Sequence, residues 1–335
     1  MNEAVLEESI CKVEAPVVEK EKPAKTKNFM DKIKKYTKYN WQILVLFLPA
    51  FLWMIFFVFI PFISNVIMSL QDYSVSKGIF GSQFVGFDNY IFFFSMDGFW
   101  SLLGNTLLLN LLVLVIGFPA AILLAIMIYE SKSKVIKGVA QTTTFLPFFI
   151  SAVVVCNMTI EFLKADTGMI VNILSWFGLP RENLLNNPGA FRWIYSLMEL
   201  WQTIGYNSLI YLAALSAIDT SLYEAASMDG AGKIRQIFYV TLPGIAPTII
   251  ITLILKIGKI LSMGYEKVLL LQTVYNKPVS EIISTYVYNV SLNPTVGQPN
   301  YGLAATIGLF DAVVAIVLVT VVNKIAKKVS DTQLW

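Results

Sequence analysis

Histidine is absent from all 335 residues of this chain. That removes the commonest general base and the commonest zinc ligand. Cysteine occurs twice, as Cys11 in a polar N-terminal stretch and Cys156 inside an apolar block. Two such isolated thiols support neither a disulfide framework nor a metal site. Charge is scarce as well: Asp, Glu, Lys and Arg make up 14% of the chain, where soluble domains carry about 25%. The net charge of +3 is too small to point to nucleic acid. A glycine-rich phosphate loop is also missing. The stretch "SMDGAGKI" holds Gly232-Lys233, but Ser227 stands where the first glycine belongs and Ile234 where Ser or Thr belongs. ATP hydrolysis by that route is excluded, and no catalytic or metal-binding set remains.

What is there is apolar, at 56% of the residues. The excess sits in blocks. Gln42 to Leu70 and Ser101 to Tyr129 each run 29 residues without a formal charge, and Gly138 to Ile160 runs another 23. A bilayer crossing needs only ~20 such residues. The pattern predicts an all-α integral membrane protein with six transmembrane helices, at about 42–70, 101–129, 139–163, 194–218, 243–263 and 302–323. Pro119 and Pro147 fall inside the second and third and predict kinks. The six spans make one domain over 41–329. Residues 1–40 read as a disordered polar tail, and 330–335 as a short C-terminal one. The tail is not a signal peptide, because the apolar block after it is far longer than a signal h-region.

Basic residues beside the spans set the orientation. With the N-terminus inside, segments 31–41, 130–138, 219–242 and 324–335 are inner and hold 12 Lys/Arg in 56 residues. The outer segments 71–99, 164–193 and 264–301 hold 6 in 97. Both termini are therefore expected in the cytoplasm. The outer loops read as ordered. "TGMIVNILSWFGLP" has Met169, Ile173 and Trp176/Phe177 at helical spacing, and Gly178-Leu179-Pro180 ends the run.

The longest inner loop, 219–242, has a local grammar of its own. Ser221 and Glu224 match an S-x-x-E capping box, which predicts a short helix from near Leu222. Ala225, Ala226 and Ser227 keep its flank thin enough for close backbone approach to another protein. Asp229-Gly230 and Gly232 break it. A second helical run from Lys233 to Thr241 leads into the fifth span at Leu242-Pro243. Docking to a protein competes with resting on lipid headgroups, but an interfacial helix usually pairs Lys and Arg with bulky apolar residues.

These residues carry a resemblance. E-A-A, three residues, G, nine residues, I-x-L-P is the signature of permease subunits of binding-protein-dependent ABC importers. The chain shows Glu224-Ala225-Ala226, Gly230 and Val240-Thr241-Leu242-Pro243, with valine for isoleucine as the one departure. "FVGFDNY", "GMIVNILSWFGLP", "ISTYVYNV" and "YGLAATIG" resemble the carbohydrate-uptake branch, and "GKILSMGYEKVLLL" resembles its LplB-like subgroup for oligosaccharides and polysaccharide fragments. The resemblance spans about Trp41 to Lys328. It implies the type I ABC importer permease fold in a bacterial cytoplasmic membrane. It implies that the loop is a coupling helix seated in a cytoplasmic ATPase subunit, through Glu224, Ala225, Ala226, Asp229, Gly230, Leu242 and Pro243. Glu224 then serves either the cap or an ion pair with that ATPase. The implied partners are a second homologous permease, two copies of the ATPase, an extracytoplasmic solute-binding protein, an oligosaccharide and membrane lipid. This chain itself would bind no cofactor, with ATP and Mg held by the ATPase.

Charges inside spans are costly and point to a cavity or a partner. Lys256 lies 13 residues past Pro243 and Asp311 nine residues into the last span, at similar depths, and Lys256 is expected to face a polar cavity in the outer half of the membrane. Lys259 falls one turn from Lys256. In the fourth span Tyr195, Glu199, Gln202 and Tyr206 share one helix stripe, with Asn207 beside it. Aromatic faces next to hydrogen-bonding groups suit a sugar. Lys256 is then either a substrate contact or the structural partner of Asp311. Asn105 and Asn110 read as interhelical hydrogen-bond residues. Two rival functions are weighed. A self-sufficient secondary transporter would show inverted repeats, and none is visible between 42–163 and 194–323. An enzyme acting on lipid-linked glycans would need an acid–base pair at a span end, and Glu161, Asp166 and Glu199 form no motif.

Overall fold

The computed structural model describes residues 29–261, 264–293 and 298–329. The chain divides at Pro61 into two units. The first holds α1 (Phe29–Met54), a π-helical turn at Ile55–Phe59 and the start of α2 (Ile60–Ser69). No side chain from Trp41 to Pro61 is buried. The expected disordered tail lies outside the described residues over 1–28, as does the C-terminal tail over 330–335. From Phe29 to Asn40, however, the backbone is helical and continuous with the first span. Four lysines in that stretch are good helix formers.

The second unit opens with a two-stranded antiparallel hairpin, β1 (Gln71–Asp72) and β2 (Gln83–Phe84), enclosing α3 (Gly78–Gly81). α4 (Asp88–Ser95) leads to α5 (Phe99–Glu130), which runs through Pro119 without interruption. α6 (Lys134–Phe145) and α7 (Ala152–Leu163) follow, then α8 (Met169–Ser175) and α9 (Pro188–Ser216). α10 (Thr220–Met228), α11 (Lys233–Gln236) and α12 (Leu242–Ile257) come next, with a π-helical turn at Ile237–Thr241 joining the last two. α13 (Tyr265–Leu271), α14 (Lys277–Ser280), α15 (Ile283–Ser291) and α16 (Tyr301–Val329) complete the chain. The fold is all-α apart from the small hairpin, as expected.

Among the described residues four helical stretches are long and apolar enough to cross a membrane: Trp41–Ser69, Phe99–Glu130, Lys233–Ile257 and Tyr301–Lys328. The fifth therefore starts within the loop 219–242 and ends six residues before the expected boundary; residues 262–263 lie outside the described residues. The third expected span is not one helix. Lys134–Phe149 and Ala152–Leu163 meet at 98°. Pro147 sits in a 3₁₀ turn at the break, and Ser151 starts the new helix by accepting a hydrogen bond from Val154 N–H. A proline removes a ladder donor and a capping serine opens a fresh one, so the backbone turns there at little loss of hydrogen bonding. α9 has 29 residues, ample for a crossing, but Arg192, Glu199, Gln202 and Asn207 make it less apolar than the other four.

α5 and α9 pack along each other and form the spine of this unit. Three clusters fill in around them. Leu109, Phe191, Tyr195 and Val268 centre one, Phe93, Phe99, Ile283 and Ile307 a second, and Ala125, Tyr211, Leu215 and Ile245 a third. Burying each such side chain contributes roughly 1.5–3 kcal/mol in water; within a bilayer, close packing is the source of affinity. Gly205 marks the tightest crossing, because a Cβ there would collide with the Thr144 carbonyl. At the end of α5 away from Glu130, described loop residues are hydrogen-bonded to the helices. Asn105 Nδ2 donates to Pro278 O at 2.8 Å and Arg192 Nη2 donates to Asn105 Oδ1 at 2.9 Å. Buried Asn276 donates to Leu185 O and Leu271 O. α8 has the expected position, with Val171 inward and Met169, Ile173, Trp176 and Phe177 exposed.

Candidate functional site

Two places gather the residues singled out by the sequence. The first is the loop between α9 and α12. α10 starts at Thr220, two residues before the expected start, and its cap is Asp219, whose side chain accepts from Ser221 N–H at 2.9 Å. The proposed Ser221–Glu224 capping box is not formed. Asp219 offers a carboxylate already in N-cap position, and a charged acceptor bonds the free N–H groups better than a hydroxyl. That bond holds the Asp219 carboxyl below its ordinary range. Glu224 is thereby released: it is exposed and pairs with no described residue.

The helix ends as the sequence indicates. Gly230 takes φ +77°, Gly230 N–H donates to Ser227 O and Ala231 N–H to Ala226 O. These two bonds make a Schellman ending, which needs a left-handed residue. The next turn is clamped back onto α10. Buried Gln236 Nε2 donates to Ser227 Oγ at 2.8 Å and Ala231 O at 3.2 Å, and Tyr223 OH meets Thr241 Oγ1 at 3.1 Å. Lys233 Nζ pairs with Glu130 at 2.7 Å, fixing the loop to the end of α5. Leu242 and Pro243 open α12, with the proline in its first turn where no N–H is needed. Between α10 and the ends of α5 and α6 lies an open cleft of about 860 Å³, lined by Tyr129, Glu130, Lys137, Tyr223, Glu224 and Lys233.

The second place lies between α5, α9 and α12. A cavity of about 210 Å³ is lined by Asn110, Phe148, Glu199, Tyr206, Asn207 and Lys256, among others. A neighbouring cavity of about 220 Å³ shares Asn110, Val113 and Glu199 with it and adds Tyr195, Tyr265 and Lys267. Tyr206 is half exposed and stacks face to face on Phe148, with ring centroids 3.9 Å apart. Lys256 Nζ donates to Asn207 Oδ1 at a long 3.4 Å. Glu199 is ion-paired with Lys267, each side chain 16% exposed.

This geometry corrects three expectations. Lys256 and Asp311 do not pair: Lys256 reaches Asn207, and Asp311 Oδ1 is buried with no hydrogen-bond partner. Equal depth on two helices does not fix equal azimuth, and the α12 face carrying Lys256 turns toward α9. Lys259 does not continue the face of Lys256, because α12 stops at Ile257 and Lys259 is exposed beyond it. The Tyr195–Tyr206 stripe is split. Gln202 is 5% exposed and donates to Ile150 O at 2.8 Å, holding the α6–α7 break. Tyr195 is packed in the core on Phe191, reaching only the edge of the second cavity. Glu199, Tyr206 and Asn207, on or beside one stripe in the sequence, line one cavity, and Lys256 of α12 joins them there.

Sequence reasoning missed Lys267, Phe148 and the role of Asn110. Lys267 follows a span end where a lysine reads as an ordinary interface residue. Asn110 and Asn105 look alike in one apolar run, yet only Asn105 is bonded.

Comparison with known proteins gives concordant results. The model for binding-protein-dependent transport system inner membrane components matches residues 117–331. The chain is similar to the polygalacturonan/rhamnogalacturonan transport system permease protein YteP of Bacillus subtilis (strain 168), with 39% identity over 291 residues, 87% of this chain and 89% of that one. It is 36% identical to protein LplB of the same strain over 296 residues, 88% of this chain and 91% of that one. Among solved structures, a chain of a bacterial alginate ABC transporter in complex with an alginate pentasaccharide-bound periplasmic protein superposes with a TM-score of 0.81. It is 36% identical, with 90% of this chain and 100% of that one covered.

Proposed function

This chain belongs to the inner membrane components of binding-protein-dependent transport systems, and we propose that it is the permease subunit of an ATP-driven importer of oligosaccharides or polysaccharide fragments. It works by alternating access. The similar proteins are named for polygalacturonan, rhamnogalacturonan and alginate, which supports a saccharide cargo. α10 is the coupling helix. It seats in a separate ATPase subunit, present in two copies, which binds ATP and Mg, while this chain binds no cofactor. A second, homologous permease completes the pore, and an extracytoplasmic binding protein delivers the sugar. The chain crosses the bacterial cytoplasmic membrane six times, with α9 and the bent α6–α7 pair making up the number, and both termini are cytoplasmic.

The observation that carries this reading is the state of α10. Every backbone and side-chain device in the loop serves to hold it rigid, while Glu224 and the small Ala225 remain presented to the outside. α10 also exposes Leu222 and Met228 but carries no Lys or Arg, whereas a helix resting on headgroups pairs bulky apolar residues with a basic face. Affinity purification of the full chain from its native membrane tests it. An ATPase, a second permease and sugar-dependent ATP hydrolysis are expected in the eluate. A chain that carries sugar alone, in proteoliposomes without ATP, would overturn the proposal.

A further inference from the structure

Six buried side-chain atoms lack a hydrogen-bond partner among the described residues, and one of them faces a cavity that also holds a charge. Asn110 is 5% exposed and its Nδ2 donates to nothing. An unmet buried amide donor costs about 1–3 kcal/mol, so its neighbourhood asks for an explanation. Lys256, lining the same cavity, has only the long bond to Asn207. The one carboxylate there, Glu199, is already taken by Lys267. Two lysines thus share one acid, and the buried polar atom left unmet beside them is a donor, Asn110 Nδ2. On the wall stands the Phe148–Tyr206 stack.

Resting on the import reading, we propose that Asn110 and Lys256 form a subsite for the carboxylate of a uronic-acid residue, with Tyr206 as the platform for its ring. A carboxylate accepts from both donors and neutralises the ammonium. A neutral sugar brings hydroxyls, which are donors as much as acceptors, and leaves the lysine charge uncompensated in a poorly solvated place. The C–H face of a pyranose matches an aromatic face whose edge carries a hydroxyl. At about 210 Å³ the cavity falls below the ~300–1,000 Å³ of drug-sized pockets. It suits one sugar ring, and the adjoining cavity across Asn110 and Glu199 offers room for the next.

The test uses the intact importer, purified with its partner subunits, and two matched probes: trigalacturonic acid and galactotriose, its carboxyl-reduced counterpart. Equilibrium binding to the detergent-solubilised complex is the readout, with thermal unfolding as control. Wild type is expected to favour the acid. Lys256→Met is expected to weaken the acid by about tenfold or more, the scale of a charge-assisted hydrogen bond, and to leave galactotriose unchanged; Lys256→Arg should restore part of the preference. Asn110→Leu should weaken the acid while unfolding no earlier than wild type, because it removes an unmet donor. Equal weakening of both sugars in Lys256→Met, no preference in wild type, or early unfolding of Asn110→Leu would each overturn the subsite. ATP-dependent uptake by the same complex is scored separately, so a failed subsite and a failed import reading are told apart.

Discussion

The loop 219–242 and the cavity between α5, α9 and α12 handle polar groups in opposite ways. In the loop, the polar groups that fix its shape have partners. Asp219 caps α10, Gln236 ties the following turn to it, Tyr223 meets Thr241, and Lys233 meets Glu130. In the cavity, Asn110 has an idle donor and Lys256 a weak bond. A satisfied network is rigid and presents a fixed shape. An unsatisfied one stores a preference for whatever supplies the missing partners. The first suits a lever that transmits force, and the second suits a station where cargo pauses.

The sharpest way to break this comparison is topological, since the proposed reading puts the loop inside and the cavity within the bilayer. In a chain whose own cysteines are replaced, single cysteines at Gly81, Asn186 and Asn293 are expected to react with an impermeant thiol reagent from outside, and one at Ser133 is not. The difference is all or none, and the reverse pattern would invert the molecule.

Next in size is Gly230→Trp. Its left-handed φ costs a non-glycine residue about 1–2 kcal/mol, and the indole would stand in the open space where the proposed reading seats the ATPase. ATP-coupled uptake should fall on the order of 5–150-fold, the span of typical coupling energies, while the ATPase subunits still hydrolyse ATP. Uptake at the wild-type rate would sink the lever reading.

The ion pair Glu199–Lys267 separates structure from cargo inside the cavity. Glu199→Gln strands a largely buried lysine and should lower stability by roughly 3 kcal/mol, with Glu199→Gln/Lys267→Met recovering most of it. Unfolding followed by tryptophan fluorescence or scanning calorimetry of the complex would show this. By contrast Lys256→Met and Asp311→Asn should add within about 0.5 kcal/mol, because the two residues do not pair. Strong coupling between them would restore the pairing that equal depth suggested.

The smallest effect belongs to the cap. Asp219→Ala should speed amide exchange at the start of α10 by about fivefold. The Asp219 carboxyl is held below its ordinary 3.8 by the Ser221 N–H. Its contribution is therefore complete above that value and fades as pH falls through the lowered one. The protection factor in wild type, exchange taken relative to the intrinsic rate at each pH, should fall only on acidification below the ordinary range, and that of Asp219→Ala should show no such step.

Local chemistry made the loop legible in the sequence. A short helix, a glycine that must turn left-handed and a proline that opens the next span are decided within a few residues, so Glu224, Gly230 and Pro243 lie where expected. The cap was misassigned, because Asp219 and Ser221 are both competent and only backbone geometry picks between them, and the fifth membrane-length helix begins at Lys233, inside the loop. The cavity was legible only in part. The fourth-span stripe pointed at Glu199 and Tyr206, but a stripe is wider than a pocket, and Tyr195 and Gln202 on its flank face packed neighbours instead.

By itself the sequence determined that this is a polytopic helical membrane protein with a capped, glycine-ended helix in its longest basic-side loop. Uncharged runs longer than a bilayer is thick leave no other home for the chain, and turn chemistry acts at short range. Only the tertiary structure decided that α6 and α7 meet at 98°, that Lys267 and not Lys256 holds the acid, and that Asn105 is bonded where Asn110 is not. Those outcomes depend on helix azimuth, on where α12 ends and on how closely Gly205 lets α9 approach the α6 backbone. None of these leaves a mark in residue spacing, because each is settled by which surfaces fit together.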